Sequence, residues 1–265
     1  MENKIIGNGF NMNYIIAMEL EKELNQEEEI FYEYTNLKGK NLEMYKKELE
    51  HLKKISSETS DDPHRRGEIS AEKGASLETL VRILIDGTGV LNRFCNVGTA
   101  TNEIDFIVVK NYKGERLQEK ISEKLESDKA FEKLIKFEKY FLAECKNHNK
   151  KVSSTWIGKF YTLNKTCGKS SKIGVFFSYY GISGTKKGWT DGHGLIKILN
   201  STCEFSIIEF NIEDYEAIAN GENFFRLFNK KILELDVGAG LSDYNIPHDN
   251  SEEFKEKISK CQSLN

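Results

Sequence analysis

Several features that define large classes of proteins are missing from this sequence of 265 residues. No apolar run approaches the roughly 18 residues of a membrane span, and no basic region followed by an apolar core marks a secretory signal at the N-terminus. No helix-turn-helix signature, zinc-finger signature or internal repeat is found. We therefore expect a protein without a membrane partner, whose specificity comes from something other than a standard DNA-reading motif.

Paired cysteines are also missing. The five cysteines are odd in number and widely spaced, and no C-x-x-C pair occurs. This pattern argues against a disulfide framework or a structural zinc and indicates reduced thiols in a cytoplasmic protein. The cysteines are Cys95, Cys145, Cys167, Cys203 and Cys261.

Acidic residues are absent from one long stretch of the chain. Between Cys145 and Thr190 there is no Asp or Glu, but there are nine lysines. Because the net charge of the whole chain is −4, the remainder is distinctly acidic. Such segregation is typical of a surface that binds a polyanion, although exposed lysines also occur simply as solvated surface. The lysines are Lys146, Lys150, Lys151, Lys159, Lys165, Lys169, Lys172, Lys186 and Lys187.

Apolar periodicity predicts a helical first part and an α/β remainder. A polar stretch at 56–67 that contains Pro63 marks the predicted boundary. We expect an N-terminal helical region over 1–66, through which the chain forms a homo-oligomer or joins a complex, and a second domain over 67–265. In the second domain helices alternate with short apolar strands, which predicts a central mixed β-sheet flanked by helices. Dense charge at about 111–139 predicts a helical insertion.

Two of the predicted strands contain acidic residues among apolar ones. Asp105 lies in N-E-I-D-F-I-V-V, and Glu144 lies in Y-F-L-A-E-C-K-N. Burial of a carboxylate is costly unless it is paired, and a metal ion is a common partner. Glu144 and Lys146 are two residues apart, so on a strand they share one face while Cys145 occupies the other. The residues predict a metal-dependent hydrolytic site.

The order of these pieces resembles the PD-(D/E)xK nuclease superfamily, and within it the Mrr-type restriction endonucleases and the Holliday-junction-resolvase-like proteins. The resemblance covers roughly residues 70–215 and implies a restriction-endonuclease-like core. The step from Asp105 to Glu144 is longer than a compact hairpin needs, which implies an insertion. The matching pieces are K-G-A-S-L-E (Lys73–Glu78), E-I-D-F-I-V-V (Glu103–Val109), A-E-C-K-N (Ala143–Asn147) and G-V-F-F-S-Y-Y-G (Gly174–Gly181).

The resemblance implies a role for each residue of the site. Asp105 and Glu144 would bind Mg²⁺, for which Mn²⁺ can substitute, and Glu78 would join the metal shell directly or through water. Lys146 would orient the attacking water or stabilise charge that develops at phosphorus. The backbone carbonyl of Cys145 would complete the metal shell.

The implied activity is hydrolysis of phosphodiester bonds, with DNA as the first candidate substrate. By analogy with the family, we expect a prokaryotic restriction or antiviral defence effector. Contacts to the nucleic acid are expected from residues in the acid-free stretch. The predicted contacts are Lys150, Lys151, Ser154, Lys159, Lys186 and Lys187.

Each assignment has a structural alternative. Asp105 could instead cap a turn, although its apolar neighbours disfavour this, and Glu78 could be a solvated helix residue. Glu144 and Lys146 would form an ordinary surface ion pair, worth under about 1 kcal/mol. For the whole protein the alternatives are an inactive nucleic-acid-binding or scaffold subunit of a defence or repair complex, and a helical interaction protein.

For three further residues, the sequence alone favours structural or incidental roles. His148 and His193 lie in predicted loops, where a lone histidine is more often incidental than catalytic. Trp156 follows a predicted helix start and is interpreted as a core anchor.

Overall fold

The computed structural model describes residues 28–98, 103–124, 134–137, 139–166, 171–186, 188–203 and 205–237. The predictions that concern 1–27, Cys167, Lys187 and Cys261 lie outside these residues. Within the described ranges, no helix combines the length and the apolar character needed to cross a bilayer.

A five-stranded mixed sheet with the strand order β1-β2-β3-β4-β5 forms the centre of the protein. The pairs β1–β2 and β2–β3 are antiparallel, whereas β3–β4 and β4–β5 are parallel. The prediction of an α/β fold with a central mixed sheet flanked by helices is confirmed. The strands are β1 (Leu91–Gly98), β2 (Glu103–Lys110), β3 (Tyr140–Lys146), β4 (Ile173–Ser178) and β5 (Ser206–Phe210).

Helices surround the sheet, and residues 28–35 form a helical segment ahead of them. Local signals determine some of the helix ends. Asp62 accepts hydrogen bonds from the backbone amides of His64 and Arg65, and Pro63 lies in the first turn of the helix that starts there. The helices are α1 (Gly39–Ser57), α2 (Pro63–Gly87), α3 (Tyr112–Lys124), α4 (Ser154–Thr166), α5 (Asp191–Cys203), α6 (Ile212–Ala219) and α7 (Phe224–Val237).

The sheet separates two apolar cores. Residues of α1, α2 and α6 line the first core, residues of α4 and α5 line the second, and α7 contributes to both. Along β3, Phe141, Ala143 and Cys145 belong to the first core and Leu142 to the second. Because side chains alternate along a strand, Glu144 faces the same side as Leu142, where α4 lies.

The described part of the predicted N-terminal region packs into the first core. Tyr45, Leu49 and Leu52 of α1 are buried in the same cluster as Leu77 and Leu80 of α2. The predicted boundary between residues 66 and 67 falls inside α2, because Asp62 and Pro63 start this helix instead of ending a domain. Residues 28–57 are thus part of the same folded unit, and their role in assembly stays a prediction.

The predicted insertion at 111–139 contains one described helix, α3. After it, Leu134, Ile135 and Phe137 are buried in the first core, and the rings of Phe137 and Phe141 have their centroids 5.0 Å apart. Phe137 therefore packs against β3, the strand that carries Glu144.

Candidate active site

Antiparallel pairing brings Asp105 and Glu144 together. The β2–β3 pairing ends at Phe106 and Ala143, and Asp105 and Glu144 are the next residue on each strand. The two carboxylates are close enough that, after burial, Asp105 is the main cause of the raised pKa of Glu144. The backbone amide of Cys145 donates a hydrogen bond to Asp105 Oδ2 over 2.7 Å. Asp105 is thus held against β3 from within a strand, and the alternative in which it caps a turn does not describe its position.

Glu144 and Lys146 form an ion pair that is largely removed from water. Lys146 Nζ lies 2.6 Å from Glu144 Oε1, and the two side chains are 18% and 13% exposed. The pair is therefore not the solvated surface pair of the alternative interpretation. The second carboxylate oxygen, Glu144 Oε2, is buried and has no hydrogen-bond partner among the described residues. A buried anionic oxygen without a partner is costly and indicates a missing cation or donor.

Glu78 faces the same cluster from α2. Its Oε2 lies 2.7 Å from Arg82 Nη2. Burial raises the pKa of Glu78, and the Asp105 carboxylate raises it further, against the opposing effect of Arg82 and Lys146. Burial likewise raises the pKa of Glu144, followed by the repulsion from Asp105, while Lys146 acts in the opposite direction. Three carboxylates share two cations, which leaves an excess of negative charge.

The Cys145 thiol takes no part in this cluster. It lies in the first core, on the opposite face of β3, and burial raises its pKa well above the usual value. A neutral, buried thiol is a poor ligand for a hard cation. Cys145 contacts the site through its backbone amide, and the role that the resemblance implies for its carbonyl stays a prediction.

A divalent metal fits the donors of this cluster. Mg²⁺ usually takes one or two protein carboxylates and fills its other positions with water and phosphate oxygens. Asp105 and the unpaired oxygen of Glu144 match that donor set, with Glu78 next to them. Across the described ranges, no group of three or more His, Cys, Asp or Glu side chains is arranged to enclose an ion by itself. Asp105, Glu144 and Glu78 are thus not arranged as a set of three ligands.

A groove runs beside Glu144, and α4 forms one of its walls. Its volume is about 770 Å³, and its lining includes Glu144, Trp156 and Lys159. Lys146 Nζ lies 5.0 Å and Lys159 Nζ 4.7 Å from the centre of the Trp156 ring, within the range of a cation–π contact. Trp156 is only half-buried, so it lines the groove in addition to serving as the predicted anchor.

Sequence reasoning missed the residues that fix the loop after Lys146. Lys73 is 3% exposed, and its Nζ donates to the Glu58 carbonyl over 2.9 Å and to Asn149 Oδ1 over 2.7 Å. Asn147 Nδ2 donates to the Lys73 carbonyl over 3.0 Å. The loop is thereby tied to α2. Nothing in the sequence near Lys73 signals this contact, because its partners lie far away along the chain.

The predicted nucleic-acid contacts divide into two groups. Lys150 and Lys151 are exposed just beyond β3, and Lys159 lies at the groove. Ser154 lies beside Asp191, whose pKa is lowered by the neighbouring Ser183 and then by Ser154. An anionic side chain at this position disfavours the phosphate contact predicted for Ser154.

Lys186 lies between two carboxylates and not beside Glu144. Its Nζ is 3.9 Å from Glu209 Oε1 and 3.8 Å from Glu234 Oε2. Two carboxylates therefore already balance the charge of this predicted phosphate contact.

His193 belongs to a second buried cluster. Glu209 Oε2 accepts a hydrogen bond from the Ile182 amide over 2.5 Å, and its Oε1 lies 3.5 Å from His193 Nε2. Ile182 in turn forms a parallel bridge with Val152, two residues ahead of α4. His193 thus supports the anchor of the segment that leads into α4, which is a structural role of the kind the sequence indicated.

Folding stability is expected to decrease below about pH 6.5 because of His193. Burial lowers its pKa from the usual 6.5; the Glu209 carboxylate opposes this shift and Lys186 adds to it. The unfolded chain therefore takes up a proton before the folded chain does, so stability is full above this pH and declines by at most about 1.4 kcal/mol per pH unit below it. Urea unfolding of the native protein and of His193→Gln between pH 5 and 8 measures the difference. Parallel pH profiles for the two proteins would contradict the assignment.

No family model, no curated protein and no solved structure matches this chain. The function of this protein is therefore inferred from the site geometry and from the order of the elements around the site.

Proposed function

We propose that the protein is a metal-dependent endonuclease of the PD-(D/E)xK type that hydrolyses phosphodiester bonds, with DNA as its first candidate substrate. One observation carries the proposal: the buried Glu144 Oε2 has no partner in the described part of the chain, while Lys146 holds the other oxygen of the same carboxylate. A divalent ion is the partner that best completes this arrangement.

The order of elements supports the same family. A helix with Glu78 precedes a strand pair with Asp105, then a strand with Glu144 and Lys146, then a helix and a parallel strand. This sequence of α2, β1, β2, β3, α4 and β4 corresponds to the restriction-endonuclease-like core that the motifs imply. Because β3 and β4 are parallel, the carboxyl end of β3, with Glu144 and Lys146, lies at the same sheet edge as the end of β4.

In the proposed mechanism, Asp105 and Glu144 would hold the ion, and Glu78 would support it directly or through water. The bound ion would polarise the scissile phosphate and lower the pKa of a coordinated water. The Cys145 amide orients Asp105, and Arg82 restrains Glu78. Lys146 Nζ, which Glu144 and the Trp156 ring hold at the groove, would orient the attacking water or stabilise charge on the phosphate.

The lysines around the site support a polyanionic substrate. Lys150 and Lys151 are exposed directly after β3, and Lys159 lies on the wall of the groove next to Glu144. Exposed ammonium groups beside a cleft attract phosphates and position the backbone without reading the base sequence. A role in antiviral defence extends this proposal by analogy with the family.

A nicking assay on supercoiled plasmid tests the proposed function. With Mg²⁺ or Mn²⁺ the protein is expected to convert supercoiled plasmid into open circles, and EDTA is expected to stop the reaction because the carboxylates lose their ion. A single-stranded DNA and an RNA of the same sequence, tested in parallel, define the substrate. Binding of the nucleic acid without any cleavage, with either ion and over a range of pH, would favour an inactive binding or scaffold subunit instead.

A further inference from the structure

We propose that the groove beside Glu144 is a subsite for an unpaired nucleobase, so that the substrate is single-stranded, at least next to the bond that is cut. This inference rests on the proposed function and specifies its substrate. It joins three features of the groove: an aromatic platform, a lysine that can leave this platform for a phosphate, and charges that decide on which side the backbone lies.

The platform is the indole of Trp156, in the first turn of α4. The ring is half-buried and lines the groove together with Gly158, Phe160 and Leu163. Gly174 allows close packing of α4 on the sheet, because a Cβ there would lie 2.5 Å from the Phe160 ring. Lys146, Lys159 and the His148 ring, whose centroid is 5.7 Å away, lie at the indole. A base would stack on the part of the indole that Lys159 leaves.

The two lysines on the indole differ in their freedom to move. Lys146 is 18% exposed and is fixed by its 2.6 Å contact with Glu144. Lys159 is exposed and reaches the ring from its own helix, with Nζ 4.7 Å from the ring centre. When a nucleotide enters, the ammonium of Lys159 exchanges the indole for a phosphate, and the base takes the place of the ammonium on the ring. Groups that combine stacking aromatics with lysines are typical of single-strand binding sites.

The charges of the groove fix the direction of the backbone. Glu103 and Glu144 line the groove together with Lys159 on α4. Glu103 repels phosphates and Lys159 attracts them, so the sugar-phosphate chain lies along α4 and the base points inward. Only the scissile phosphate would approach Glu144, through the ion that this carboxylate would hold. A base inside a duplex has both faces covered by its neighbours and cannot lie on an indole. The volume of about 770 Å³ is that of a small-ligand pocket and is sufficient for one nucleotide.

Fluorescence of Trp156 tests the subsite without any cleavage. The chain has two tryptophans, so Trp189→Phe leaves Trp156 as the only indole. In EDTA, a short single-stranded DNA is expected to quench this fluorescence, whereas the same sequence as a duplex leaves it largely unchanged. In a series of oligonucleotides that each lack one base, at successive positions, one member is expected to cause no quenching. Equal quenching by the duplex, or none by the single strand, would overturn the proposal.

Affinity measurements on side-chain variants give the second arm of the test. Trp156→Leu is expected to weaken single-strand binding about 5- to 100-fold, the range for loss of one base stack, and Trp156→Phe to retain most of it. Lys159→Ala is expected to lower the affinity for the single strand and to make this affinity less dependent on salt concentration. Lys165→Ala is the matched control, because Lys165 makes the same kind of contact from the same helix, 5.4 Å over Tyr161, outside the lining of the groove.

The outcomes separate the subsite from the proposed activity. Quenching by the single strand without metal-dependent cleavage retains the subsite and rejects the nuclease. Cleavage with unchanged affinity in Trp156→Leu retains the nuclease and rejects the subsite. Circular dichroism checks that Trp156→Leu folds; if it does not, the comparison of single strand with duplex in the Trp189→Phe protein decides.

Discussion

Lys146→Ala is expected to reduce metal-dependent phosphodiester cleavage about 100- to 1,000-fold, the usual effect of removing one group that stabilises charge in a transition state. Lys146 Nζ is the ammonium held closest to the proposed metal carboxylates, 2.6 Å from Glu144 Oε1. Single-turnover rates on a labelled oligonucleotide, at saturating metal and enzyme, measure the chemical step directly. Affinity for the oligonucleotide is expected to change far less than the rate.

Two comparisons make the Lys146 result specific. Lys165→Ala removes an exposed lysine from the same acid-free stretch and is expected to leave the rate almost unchanged. Lys146→Arg keeps the charge but replaces a compact ammonium with a planar fork, so partial activity is expected. If Lys146→Ala cleaves as fast as the native protein, Lys146 is a structural partner of Glu144 and the proposed catalytic role is wrong.

Divalent ions are expected to stabilise the folded protein, and Glu144→Gln is expected to remove this effect. Burial raises the pKa values of Glu78 and Glu144. Because these pKa values are raised, the contribution of the two carboxyl groups to the free energy of unfolding is full at acidic pH and is lost as the pH rises through their folded-state pKa. At neutral pH the ionised, metal-free site therefore destabilises the folded protein. A cation bound there offsets this destabilisation.

The size of the metal effect follows from its affinity. At an ion concentration ten times Kd, the gain in unfolding free energy is about 1.4 kcal/mol, or a rise in Tm of about 3 to 6 °C for a domain of this size. Thermal unfolding with Mg²⁺ or Mn²⁺, against EDTA, measures it at pH 7.5. Asp105→Asn is expected to behave as Glu144→Gln does, whereas Glu234→Gln, next to Lys186, serves as the control that keeps the full rise.

A rise in Tm that persists unchanged in both Glu144→Gln and Asp105→Asn would place the ion elsewhere and refute the metal site. A rise that is lost in both variants, in a protein that does not cleave, would instead indicate a metal-binding relic of a nuclease. Thermal unfolding and cleavage therefore report on two separate parts of the proposal.

Local pattern was sufficient to predict the elements that carry the site. The apolar run around Asp105 and the run before Glu144 predicted the strands β2 and β3, because a short apolar run is typical of a buried strand. The spacing of Glu144 and Lys146 fixed their common face for the same reason. The fully apolar run ending at Ser178 predicted β4, which is buried on both faces.

Local pattern could not predict the end of the N-terminal region. The polar residues before Pro63 look like a linker, yet they form only the short connection between α1 and α2. Whether such a stretch separates two domains depends on what the flanking helices pack against. Here Tyr45 and Leu52 of α1 share a core with Leu80 of α2, a contact between apolar faces that no linker composition reveals.

The amino-acid sequence by itself thus determined the strand and helix positions, the acid-free lysine stretch and the identity of the carboxylates, since periodicity and charge are properties of neighbouring residues. Only the tertiary structure decided how their side chains are paired. The pairing of β2 with β3 brought Asp105 near Glu144, whose Oε2 is buried without a described partner. The packing of α4 brought Trp156 to the groove. The tertiary structure also places Ser154 beside Asp191 and Lys186 beside carboxylates. These are contacts between residues far apart in the chain, and they follow from the packing of whole elements.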